Sequence, residues 1–166
     1  MFEKVNWNEG SHYGKVLHQW WKGLEKDHAT RAILRRCSTL DDVILSSAYQ
    51  RFYRYMLTCN WPEDASSYQN DKLAAIAGLL AHINSEDTKL LPVLMSELNG
   101  DKPMVSELRF RDLLKIESTD DLFQSLRRVL PLINKKANPY NLANDIFFWG
   151  DQVKKKWAYT YHWPSK

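Results

Sequence analysis

Thirteen basic side chains recur in short groups along the chain: Arg31, Arg35 and Arg36; Arg51 and Arg54; Arg109, Arg111 and Lys115; Arg127 and Arg128; Lys154, Lys155 and Lys156. Arginine dominates the first four groups. A guanidinium is a planar fork that grips a phosphate through two hydrogen bonds, whereas an ammonium acts as a strongly hydrated point charge. Held on a rigid scaffold, such groups can track a sugar-phosphate backbone without reading bases. The same residues also have a structural use. A cation near a helix C-terminus meets the negative end of the helix dipole, worth about 0.3–1 kcal/mol when exposed. Taken singly, the Arg35–Arg36 and Arg127–Arg128 pairs fit that use. Recurrence of paired cations outside the apolar stripe of four separate helices favours one shared polyanion surface.

Catalytic chemistry has little to work with. His12, His18, His28, His82 and His162 show no HExxH or other metal-ligand spacing. No GxSxG elbow, Walker loop or dinucleotide fingerprint occurs, and the carboxylate pairs Asp41–Asp42 and Asp120–Asp121 stand where helix N-termini favour negative charge. Cys37 and Cys59 lack CxxC spacing and are expected to be buried, reduced thiols. No catalytic residue, metal or cofactor is expected.

The formal charge of +3 is too small to announce a nucleic-acid partner, but it is unevenly spread. Residues 1–36 carry +3, residues 37–108 carry −5, and residues 109–166 carry +5. If the chain ends pack together, as they often do, both basic segments share a face and the acidic middle looks elsewhere. The start "MFEKVNWNEG" lacks the apolar run of a signal peptide, and no stretch approaches the roughly 18 apolar residues of a membrane span. A cytoplasmic protein without membrane contact is expected.

Helices must position these cations. The 166 residues suit one core, and 44% hydrophobic residues with seven Trp argue against disorder. Residues 9–26 place Tyr13, Leu17, Trp20 and Leu24 on one stripe. Asp27 is an N-cap for a helix to about residue 37, with Ile33 inward and Arg31 and Arg35 on one outer ridge. Residues 42–58 form a helix with Leu45, Tyr49, Phe52 and Met56 inward, and residues 70–83 another around Leu73, Ile76, Leu80 and Ile83. In 84–103 a helix interrupted at Pro92 precedes the turn "NGDKP". Further helices start at Ser106 with Phe110, Leu113 and Leu114 inward, and near Thr119 with Leu122, Leu126, Val129 and Ile133 inward, until Pro131 kinks or stops the chain. Residues 140–159 make the last long helix, with Leu142, Ile146, Trp149, Val153 and Trp157 buried and Lys154 and Lys155 projecting away.

The periodicity therefore predicts an all-α, compact bundle of about seven to eight short helices in a single domain, 1–166. Two packed sub-bundles, about 1–104 and 105–166, stay open. Trp20, Phe52, Trp149 and Trp157 fall on core periods rather than on a stacking platform. Tyr159, Tyr161, His162 and Trp163, at a frayed end, form either a docking patch or a lid.

Four stretches, in order, resemble a known family: "ATRAILRRC", "AYQRFYRYM", "ELRFRDLLKIESTDDLFQSLRRVLPLI" and "LANDIFFWGDQVKKKWAYTYHW". They are similar to the small subunit of the type I-E CRISPR surveillance complex, the CasB family of Cascade, most specifically over 107–163. The resemblance implies an all-α, non-enzymatic subunit present in two copies among other Cascade subunits. It would lie beside guide RNA paired with target DNA and help hold the displaced non-target strand, stabilising the R-loop. Arg35, Arg36, Arg109, Arg111, Arg127, Arg128, Lys154 and Lys155 become backbone-contact candidates by position in these motifs. Asp112 stands where relatives often carry a basic residue, so Arg111 and Lys115 carry less of the expectation than Arg36. The alternative is a structural adaptor whose basic helices meet acidic surfaces of partner subunits without touching nucleic acid.

Overall fold

A computed structural model describes residues 5–165. Most of its helices start where short polar side chains can satisfy free N–H groups. Ser11 caps α1 (His12–Gly23) and Asp27 caps α2 (His28–Arg36). Thr39 and Asp42 form a reciprocal capping box on α3 (Leu40–Ile44), and Ser46 caps α4 (Ser47–Thr58). Ser66 and Gln69 do the same for α5 (Ser67–Leu80). A short strand β1 (Ser85–Glu86), α6 (Leu91–Ser96) and a hairpin of β2 (Leu98–Asn99) with β3 (Lys102–Pro103) follow. Ser106 caps α7 (Glu107–Leu114) and Ser118 caps α8 (Thr119–Val129). A 3-10 turn (Leu130–Ile133), β4 (Lys136–Ala137), α9 (Pro139–Phe147) and α10 (Asp151–Thr160) complete the described chain. Eight of these helices have seven residues or more, in line with the expected bundle.

The bundle is built around α5. Lys72 through Leu80 are all buried, because α5 packs against α2, α3, α4, α8 and α9. From Leu73 to Leu80 the helix is apolar on every side, as a core helix is. Its small residues let the neighbours come close: a Cβ on Gly78 would sit 2.7 Å from Phe123 Cε1 and 3.0 Å from Val43 Cγ2. The buried side chains form one continuous cluster from Val5 to Tyr161.

Several local expectations are corrected. The predicted helix 42–58 is broken at Leu45, which is 84% exposed rather than inward. Ser46 causes the break, since its hydroxyl accepts from Tyr49 N and restarts the helix. On α1 the inward indole is Trp21, whose Nε1 donates to Ile83 O at 3.2 Å, while Trp20 is half-buried against Phe52. Pro92 does not interrupt a helix but occupies its first turn, where its missing N–H costs nothing. The predicted helix 140–159 is two helices, α9 and α10, although all five stripe residues are buried as expected. Trp149, at the break, donates its Nε1 to Ile116 O at 2.9 Å. Residues 84–103 and 136–137 carry short β pairs, β1 parallel to β4 and β2 antiparallel to β3, that no alternating pattern announced. Cys59 is half-buried rather than buried. Tyr161 is no frayed end: it stacks on Phe110 at 4.0 Å and donates to Val105 O at 2.7 Å.

Candidate nucleic-acid interface

The C-terminal turns of α2 and α8 meet at the end of α5. Arg35 Nε donates to Ala81 O at 2.7 Å, and its Nη2 donates to Asn84 Oδ1 at 2.6 Å. Arg127 Nη2 donates to Arg35 O at 3.0 Å, across 92 positions of sequence. Each of these guanidiniums thus closes the negative end of a neighbouring helix. Arg36 and Arg128, one residue along, are exposed. Arg31 lies one turn back on α2; burial, and then the Arg31 charge, hold Arg35 below its usual range. Among the described residues no carboxylate comes within 4 Å of Arg31, Arg35, Arg36, Arg127 or Arg128.

His82 reports the field at this junction. It is 7% exposed, and burial, then Arg127, Arg35 and Lys135, push its imidazole down to about 4, so it is neutral at neutral pH. Lys135 is a cation that sequence reasoning passed over. Its segment "NKKANP" carries turn residues, and Lys135 itself takes a positive φ of 56°. Its N–H donates to Leu130 O at 2.9 Å, which curls the backbone back after the 3-10 turn.

The other predicted site residues are placed differently. Arg51 and Arg54 are exposed on α4, which packs against α2. Arg51 lowers the pKa of Asp27, after the larger effect of the Thr30 hydrogen bonds. Arg51 is therefore near the start of α2, roughly 12 Å of helix rise from Arg35. Arg109 is exposed on α7; Arg111 lies 3.8 Å from Glu107 and Lys115 3.9 Å from Asp112, both loose surface pairs. Asp112 thus offsets local positive charge. Lys154 does not project away as expected: its side chain is 12% exposed, 3.1 Å from Glu117, with Nζ 5.8 Å from the Trp149 ring centre. Glu117 precedes α8, which separates Lys154 from Arg127 by roughly 15 Å of helix rise. Lys156 Nζ donates to Asp145 Oδ1 at 2.6 Å, and the buried Asp145 also accepts from Trp157 Nε1 at 2.9 Å. Lys155 is exposed. The structure therefore brings Arg31, Arg35 and Arg127 to one junction, with Arg36 and Arg128 exposed one residue along, and leaves the lysines of α10 partly committed to carboxylates.

Among the described residues, no group of three or more His, Cys, Asp or Glu side chains is placed to hold a metal ion, and no helix is long and apolar enough to cross a membrane. The fold and junction define an all-α protein with an arginine cluster that has no carboxylate within 4 Å among the described residues. The family model for CRISPR-associated protein Cse2 matches residues 30–162, which span every one of these cations. The chain belongs to that family, the small subunit of type I-E Cascade. No curated protein matches the chain.

Proposed function

We propose that the protein binds nucleic-acid backbones without sequence preference, and so stabilises the guide RNA–target DNA hybrid and the displaced strand within Cascade. The observation that carries this reading is the junction of α2 and α8, where guanidiniums distant in sequence gather with no carboxylate partner among the described residues. Exchanging a DNA duplex for an RNA–DNA hybrid is nearly balanced in free energy, so backbone contacts tip it. That task needs shape and positive charge, and neither a nucleophile nor a base code. Arg36 and Arg128, exposed and free of helix-closing bonds, are the principal phosphate contacts; Arg35 and Arg127 fix the geometry that presents them. A second copy in the complex would extend the same track.

The test is a salt titration of DNA and RNA binding by Arg36→Glu, Arg128→Glu and the double variant. Removing one phosphate-binding cation reduces the log–log salt slope by about 0.9 on duplex and about 0.7 on single strands, similarly for unrelated sequences. Slopes equal to the parent's in the folded double variant would end the reading. Loss of co-purification with Cascade subunits at unchanged slope would instead identify an adaptor.

A further inference from the structure

The acidic middle of the chain holds a cleft that none of the nucleic-acid chemistry uses. It has a volume of about 200 Å³ between the α3–α4 break and the first turns of α5, with Ile44, Tyr49, Tyr53 and Asp71 in its wall. Tyr49 and Tyr53, one turn apart on α4, place their ring centres 6.3 Å apart at 33°. Asp71 is half-buried, and among the described residues its carboxylate has neither a hydrogen-bond nor a salt-bridge partner. The neighbouring charge that acts on Asp71 is another carboxylate, Asp41, which adds to the effect of burial in raising its pKa.

A partly dehydrated carboxylate in one cleft with the half-buried Tyr53 ring, Tyr49 being only 3% exposed in the wall, is complementary to one kind of group. A cation gains from the ring quadrupoles and from the carboxylate together, and a planar guanidinium can stack on a tyrosine while donating two hydrogen bonds to Asp71. A polyanion is repelled by Asp41 and Asp71. A protein surface is favoured over a free small molecule, because Leu45 and Tyr68, next in sequence to the lining residues Ile44 and Ser67, are 84% and 59% exposed. We infer that the cleft of Tyr49, Tyr53 and Asp71 receives an arginine side chain presented by a neighbouring protein subunit. Charge then divides the labour: the arginine junction faces the polynucleotide and this acidic cleft faces a protein.

The inference is independent of the nucleic-acid reading, and the test separates them. The labelled full chain is titrated with N-acetylarginine amide and with its neutral isostere, N-acetylcitrulline amide, while the resonances of Tyr53 and Asp71 are followed. Saturable shifts are expected with the arginine derivative, at least about tenfold weaker with citrulline and in Asp71→Asn, the scale of a charge-assisted hydrogen bond. In purified Cascade, Asp71→Arg should enter the complex about tenfold less well, while its salt slope on DNA equals the parent's. Equal binding of the two derivatives, or incorporation of Asp71→Arg at the parent level, would overturn the inference.

Discussion

Lys72 is a charge that the fold has enclosed. It is 1% exposed in the middle of α5, and its Nζ has no hydrogen-bond partner among the described residues. The Tyr68 ring, with its centre 5.1 Å from Nζ, provides the visible compensation. Burial lowers its pKa from 10.5 to about 8. The unfolded chain therefore holds a proton more readily than the folded chain between those values, so stability rises with pH from about 8 to 10.5. Below pH 8 both states are protonated and the whole cost is present, about 3 kcal/mol from the size of the displacement. Lys72→Met keeps the length of the side chain and removes the charge. It should raise the unfolding free energy near pH 7 by about 3 kcal/mol, with the gain shrinking to about half near pH 9.5. Denaturant unfolding of parent and variant across that range, followed by tryptophan fluorescence, measures both quantities. A variant less stable than the parent near neutrality, or an advantage that does not change with pH, would refute the reasoning.

Gly78→Ala should destabilise the protein by about 1–3 kcal/mol, because the new methyl meets the Phe123 ring and Val43 where α5 crosses α8 and α3; thermal melts give the value. His82→Gln should flatten the acid side of the stability profile. As pH falls from about 6.5 the unfolded chain takes up a proton that folded His82 refuses until about 4, so the parent loses about 3 kcal/mol over that window, and a variant with the same loss would show that His82 is not responsible. Lys156→Ala should lower stability while leaving the salt slope at the parent's value, since its ammonium is bonded to buried Asp145; a melt and a DNA titration on one preparation measure both.

Much of the local structure was legible in the residues. Asp27 and Ser106 cap the helices that their positions predict, and Leu142, Ile146, Trp149, Val153 and Trp157 are buried as their spacing requires. Even the break at Leu45 had a signal, because "LSSAY" offers Ser46 as an N-cap in the middle of an apolar stripe. The grouping of arginines and the motif order that mark the family are also properties of the chain read in one dimension.

Which cations meet is a different kind of fact. Helical periodicity is set by neighbours three and four positions away, whereas the state of a charge depends on whatever lies within a few ångströms in space. Nothing near Lys154 or Lys156 in the chain announces Glu117 or Asp145, and nothing near Arg127 announces the end of α2. The burial of Lys72 and the half-burial of the Asp71 carboxylate likewise follow from how α5 is surrounded. Sequence alone determined the helical class, most of the inward faces and the supply of positive charge, while the breaks at Leu45 and Trp149 came with the packing. Packing decided where that charge remains available, because desolvation and Coulomb energy act through space and not along the chain.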